Sequence, residues 1–171
     1  MLCSTLRKCL LAGVSLTALA GISVLMAPVA KAADAGTGNF TVNASVIQTC
    51  TVSGSIAFGN YDGTTKDTTG TINITCSSPT EVQIGLDAGS GTCAAPVRAM
   101  SDGTNSLTYG LYRSAADRTS GTAWGCDPPN NTQSLTPAQG GDSVTVYGRI
   151  PSGQFKPVGS YSQDVTITVT Y

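Results

Sequence analysis

Six stretches of this chain alternate apolar and polar residues with a period of two, and that spacing limits what it can fold into. The apolar sets are Phe40, Val42, Ala44 and Val46; Ile72, Ile74 and Cys76; Val82, Ile84 and Leu86; and Leu107, Tyr109 and Leu111. Val144 and Val146 lead on to Tyr147 and Ile150, and Val165, Ile167, Val169 and Tyr171 close the chain. Successive side chains of a strand point to opposite faces, so each run reads as a half-buried strand. Between the runs sit turn formers such as Asp62-Gly63, Ser78-Pro79, Asp102-Gly103, Pro128-Pro129-Asn130-Asn131 and Gly140-Gly141. No window keeps a helical period for three turns after the first thirty residues. At 171 residues one core can be buried without help. An all-β sandwich or barrel is expected.

Most catalytic chemistries find no residues here. The chain has no histidine, which removes His-dependent triads and the usual zinc hydrolases. Carboxylates stand singly in turns, so no glycosidase pair can be nominated. Gly89-Ser90-Gly91 lacks the third glycine and the helix of a phosphate cradle. Asp102-Gly103-Thr104-Asn105 lacks the length and terminal Glu of a calcium loop and reads as a turn. Four Asn-x-Ser/Thr sequons are chance matches in a Thr-rich chain, and the lone Trp124 reads as a core or loop anchor before it reads as a sugar platform. Nine basic against ten acidic residues give no electrostatic attraction to nucleic acid. No enzyme, cofactor, metal site or nucleic-acid partner is expected.

Residues 1–32 read as a secretory signal peptide. Arg7 and Lys8 form a basic start, Leu10 to Val29 is apolar, and Ala30-Lys31-Ala32 offers a cleavage site. Loss of Arg7, Lys8 and Lys31 would leave six basic against ten acidic residues, a net charge of −4. Four cysteines would remain, Cys50, Cys76, Cys93 and Cys126, with three possible pairings in an oxidising compartment. Cys50 follows the first alternating run and Cys76 ends the next, so a bridge between them would join two neighbouring strands. Closing a loop of about 25 residues stabilises by roughly 3 kcal/mol. Cys93 and Cys126 would then pair by exclusion.

The two ends of the chain are unusual. After a small, polar start, the run from Phe40 to Val46 precedes Cys50, and the last run is still alternating at Tyr171. A sandwich that ends on its sixth strand leaves an open edge and an unfilled strip of core, which a strand from another molecule could fill. An intact seven-strand domain can be drawn from the same runs.

The chain resembles the spore coat protein U domain family, which includes the subunits of archaic chaperone–usher pili. The resemblance covers essentially all of the chain after the signal. Its marks are Cys50-Thr51-Val52, Phe58-Gly59-x-Tyr61, Gly70-x-Ile72-x-Ile74-x-Cys76, Arg98-x-Met100, Leu107-x-Tyr109-x-Leu111-Tyr112 and Trp124. Tyr147-Gly148-x-Ile150-Pro151 and Gly159-x-Tyr161 follow, before an alternating strand that ends in an aromatic. The resemblance implies an incomplete immunoglobulin-like β-sandwich completed by a donated strand, spanning residues 48–171. It also implies a donor segment over 33–47 with Phe40, Val42, Ala44 and Val46 as plugs. The strand Val165, Ile167, Val169 and Tyr171 would flank the groove for chaperone or donor, and the matching disulfide would be Cys50–Cys76. Two departures from the family pattern stand out: the extra pair Cys93 and Cys126, and Gln163 with Asp164 where the acidic residue is shifted by one. Neither is expected to touch the groove.

On this reading the chain is a structural subunit of a secreted surface fibre, polymerising by donor-strand exchange for adhesion and biofilm formation. Its partners would be a periplasmic chaperone, an outer-membrane usher, and neighbouring copies of itself or sister subunits. It would pass through the periplasm of a Gram-negative bacterium to the cell surface. The alternatives are a spore or cell-surface coat protein of the same family, or a monomeric secreted β-sandwich module with Trp124 on its ligand face.

Overall fold

The computed structural model describes residues 36–171, so the expected signal peptide lies outside the described residues. The chain divides into two units at Val42/Asn43, inside the segment expected to act as a donor. The described part of the first unit, 36–42, carries no strand or helix. Among the described residues, all regular structure lies in the second.

Among the described residues eight strands and one short helix follow in order: β1 Cys50–Ser55, β2 Lys66–Cys76, β3 Val82–Leu86, β4 Arg98–Ser101, β5 Ser106–Tyr112, α1 Ala115–Ser120, β6 Gln133–Leu135, β7 Asp142–Ile150 and β8 Ile167–Thr170. They form a five-stranded sheet in the order β1-β2-β7-β5-β4 and a three-stranded sheet in the order β6-β3-β8. Every ladder between them is antiparallel. The expected all-β, two-sheet architecture is present.

Alternation explains the core. Ile72 and Ile74 of β2, Val82, Ile84 and Leu86 of β3, Leu107, Tyr109 and Leu111 of β5, and Val146 and Ile150 of β7 are buried together. Of their sequence neighbours, Thr71, Asn73, Thr75, Ser106, Thr108 and Thr145 face outward. Gly148 stands in β7 where Ile56 and Phe58 lie across the strand: a Cβ there would come within 2.6 Å of Ile56 and 2.7 Å of Phe58. Phe58 in turn meets the Tyr109 ring edge-on at 5.8 Å.

Trp124 is fully buried and donates its indole N–H to Ile84 O at 2.9 Å, so it is an anchor of the core and cannot be a ligand face. The other buried polar side chain in the same region is Arg98 of β4. Its guanidinium donates to three backbone carbonyls, Asp87 O (2.6 Å), Leu86 O (2.9 Å) and Trp124 O (2.7 Å). A buried charge needs such partners, and here they tie the loops around Asp87 and Trp124 to the sheet. Disulfides join Cys50 to Cys76 and Cys93 to Cys126.

The ladders also fix two poles. Cys50 opposes Cys76 and Ile74 opposes Asp142, so the start of β1, the end of β2 and the start of β7 share one pole. The 77–81 link carries the chain from there into β3, and Gln83 opposes Thr170, so β8 ends at this pole. Lys66 opposes Ile150 and Ser101 opposes Ser106, which puts the end of β7 and the β4–β5 turn at the other pole. The 151–162 loop lies there too, since Ser162 pairs with Ser101 and the Gly153 N–H donates to Gly63 O.

Candidate groove between two strand edges

The run from Phe40 to Val46, read from the sequence as a strand, forms none. Phe40 is 90% exposed, and Val42, Ala44 and Val46 are exposed as well. The first strand is Cys50–Ser55 instead, so Cys50 opens β1 where it was expected to follow a strand. A short alternating segment has no reason to hold a strand geometry without a surface on which to bury its apolar face.

At the other end, β8 is the outer strand of its sheet. Val165, Ile167 and Val169 are half-buried and pack against the core, while the intervening threonines are exposed. Regular pairing covers Ile167–Thr170 only. Val165 lies on the approach to the strand, and Tyr171, at the end, is 63% exposed. The bond from the Asp87 N–H to Thr166 O (2.9 Å) sets the phase of the ladder with β3. Since backbone groups alternate sides along an antiparallel strand, Thr166, Thr168 and Thr170 turn their N–H and C=O toward β3. Those of Val165, Ile167 and Val169 face the open edge. The residues whose side chains point inward are thus the ones whose backbone is free to pair.

β1 mirrors this arrangement on the other sheet. The Ser77 N–H donates to Thr49 O at 2.9 Å, so Thr49, Thr51, Ser53 and Ser55 face β2. Val52 and Gly54 present their backbone groups to the outer edge, and β1 and β8 are in contact. Cys50 and Cys76 face each other at a position without mutual ladder bonds, with a Cα–Cα distance of 4.1 Å. The bridge locks the register of the edge strand β1.

Between these two edges lies a groove of about 300 Å³. Its floor is Ile72, Leu86, Leu111 and Val146, and its walls include Ile56, Val165 and Ile167. Gln163 and Asp164 also line it, which corrects the expectation that this pair lies away from the groove. Gln163 has a defined place: its Oε1 accepts the Tyr109 hydroxyl at 2.8 Å. Burial raises the Tyr109 phenol above its ordinary value, so it keeps the proton it donates. The groove is therefore an apolar slot with two rows of unpaired backbone groups at its sides. Its chemistry suits a β-strand.

Of the residues expected in the site, Val165 and Ile167 line the groove, with Val169 further along the same strand. Tyr171 stands at its end. The plugs Phe40, Val42, Ala44 and Val46 are exposed. Ile56, Ile72, Leu86, Leu111 and Val146 were not nominated from the sequence, because a groove floor follows the same alternation as any core position. Asp127 lies beside the Cys93–Cys126 bridge, but both sulfurs are tied up in the disulfide and cannot ligate as thiolates.

Residues 36–168 match the Spore Coat Protein U domain. The chain belongs to that family. The matched region starts at residue 36, so the unpaired segment ahead of β1 is part of the family's domain together with the sandwich. A relative within the curated proteins is Protein U of Myxococcus xanthus, 32% identical over 165 residues, covering 83% of this chain and 88% of the relative. Among solved structures, the fold resembles a chain in the CsuC–CsuE chaperone–tip adhesion subunit pre-assembly complex from archaic chaperone–usher Csu pili of Acinetobacter baumannii. The TM-score is 0.50 at 20% identity, over 74% of this chain and 40% of that one. This chain thus spans two-fifths of the length of that solved chain, and the likeness is one of fold.

Proposed function

We propose that the chain is a structural subunit of a surface fibre of the archaic chaperone–usher type, joined to its neighbours by donor-strand exchange. The observation that carries this reading is the groove itself: an apolar slot between two unpaired strand edges, in a chain whose own alternating segment is left exposed. The segment over residues 33–47 of one copy enters the groove of the next, antiparallel to β8, with Phe40, Val42, Ala44 and Val46 as plugs. Antiparallel entry extends a sandwich in which every ladder is already antiparallel. Each large plug that leaves water stabilises the joint by roughly 1.5–3 kcal/mol before entropy losses, and the free groups of Val165, Ile167 and Val169 gain partners.

Before assembly the same slot is a hazard, because an apolar groove beside open edges invites aggregation. A periplasmic chaperone that lends a strand covers it, and an outer-membrane usher then exchanges that strand for a neighbour's. The fibre reaches the cell surface, where it serves adhesion and biofilm formation. The two disulfides suit passage through an oxidising compartment. The relationship to Protein U, over 83% of this chain and 88% of that one, favours a second reading, a coat layer built from the same strand exchange.

Peptide complementation tests the proposal. A chain lacking residues 33–47 is melted with and without a synthetic peptide of residues 36–47. The proposal expects the peptide to raise the melting temperature, and a Phe40→Asp peptide to fail. A melting temperature indifferent to the native peptide contradicts it.

A further inference from the structure

We infer that Phe155 and Val158 form a second contact between neighbouring copies in the fibre, closing on Ile47 of the chain that enters the groove. The inference rests on the donor-strand reading above and on three apolar side chains that this reading leaves unused. Phe40, Val42 and Val46 are exposed as plugs. Ile47, Phe155 and Val158 are large, apolar and exposed as well, the last two completely, yet none points into a core.

The 151–159 loop is held, and held with these side chains outward. Gln154 is clamped on Thr108: its Oε1 accepts the Thr108 N–H (2.8 Å) and hydroxyl (2.7 Å), and its Nε2 donates to Thr108 O (2.9 Å). The Tyr61 hydroxyl donates to Pro151 O at 2.8 Å and accepts the Gln154 N–H at 3.2 Å. The Tyr161 hydroxyl donates to Pro157 O at 2.9 Å. Phe155 and Val158 lie between these anchors. A pinned loop that keeps a phenylalanine in water forgoes the stabilisation of burying its ring, which a partner surface would recover.

Topology says which surface that is. β8 runs from the pole that carries this loop to the pole where β1 begins, so a donor antiparallel to β8 runs the other way. It leaves the groove at the pole of the 151–159 loop. Three residues, Ile47 to Thr49, separate the last plug from β1 of the donor's own domain. Four Cα steps span at most roughly 14 Å, so the donor's domain is drawn against that pole. Ile47, on the opposite face of the strand from the plugs, emerges at the mouth of the groove. On the donor side the linker is tied to its own domain: the Thr49 N–H donates to the Ser77 hydroxyl (2.9 Å), and that hydroxyl donates to Ile47 O (3.1 Å). Ile47 is thereby presented at a fixed position against the loop of the accepting copy.

Cysteine crosslinking in assembled fibres tests this contact. The double variant Ile47→Cys/Phe155→Cys is compared with Ile47→Cys/Val97→Cys, since Val97 is exposed beside β4, on the sheet edge opposite β1. Fibres of both are oxidised and run on gels with and without boiling, in the absence of reductant. The expected result is a multimer ladder that survives boiling for the Phe155 pair and collapses to monomer for the Val97 pair. Equal crosslinking of both pairs, or none in either while the unboiled ladder is intact, overturns the contact and leaves strand exchange standing. An unmodified chain with no unboiled ladder overturns both. Should the cysteine variant not assemble, Phe155→Asp/Val158→Asp gives an independent reading. It is expected to lower the temperature at which unboiled multimers dissociate without moving the melting temperature of the monomer, and an unchanged dissociation temperature overturns the contact.

Discussion

Replacing Phe40 separates the energetics of the joint from those of the subunit. Phe40 is 90% exposed in the free chain, so changing it leaves the fold of the monomer within about 0.5 kcal/mol of the original. In the groove the same ring would leave water completely, worth about 2–3 kcal/mol. At 1.4 kcal/mol per factor of ten, Phe40→Ala weakens each joint roughly 30- to 150-fold. Phe40→Asp adds the cost of a carboxylate in an apolar slot, several kcal/mol more, and assembly is lost. Ala44→Ser inserts only a hydroxyl, at about 1 kcal/mol. The assay is guanidinium titration of purified multimers read on unboiled gels, beside thermal melts of the monomers. The order Phe40→Asp, Phe40→Ala, Ala44→Ser in decreasing damage is expected, with monomer melts unchanged. Equal assembly by Phe40→Asp and Ala44→Ser would refute the plug assignment.

Other perturbations act on the subunit itself. Trp124→Phe removes the indole donor from Ile84 O in a fully buried site and is expected to cost about 1–3 kcal/mol in denaturant unfolding. Cys50→Ser with Cys76→Ser opens the bridge that closes a 26-residue separation, and should cost roughly 3 kcal/mol by the same measurement. Asp102 accepts the Asn105 N–H (2.6 Å), the Asn105 side-chain amide (3.0 Å) and the Thr104 N–H (2.9 Å), which hold its carboxyl at about 2. Its folded value lies below the unfolded one, so its contribution to the β4–β5 turn is fully present above the ordinary carboxylate range. That contribution is lost as pH falls through about 2. Carboxyl chemical shifts across an acid titration should show Asp102 titrating at about 2, and a value near 4 would contradict the turn geometry.

The sequence disclosed those parts of the fold in which period two and burial coincide. β2, β5 and β7 each bury one face and β3 is buried on almost every residue, so Ile72, Ile84, Leu107 and Val146 announce themselves by spacing. β1 escaped notice because Cys50-Thr51-Val52-Ser53-Gly54-Ser55 carries one aliphatic residue and its inner face borders the open groove. β4 was hidden by Arg98, a charged residue at a core position, which is tolerable only because three carbonyls converge on it. β6 is three residues long, too short for any period to register. The groove was legible as an edge, through Val165 and Ile167. Its floor was not, because Leu86 and Leu111 follow the same alternation as residues in the closed part of the core. The segment from Phe40 to Val46 shows the converse: its spacing is that of a strand, but no local pattern states that the partner is missing.

The most direct test of strand exchange is unboiled gel electrophoresis of material sheared from cells, comparing the intact chain with one that lacks residues 33–47 but keeps residues 1–32. The account predicts a ladder of multimers for the intact chain that collapses on boiling and is absent after the deletion. A single monomer band from both, with the shortened protein still folded, would mean a closed domain and would contradict the account.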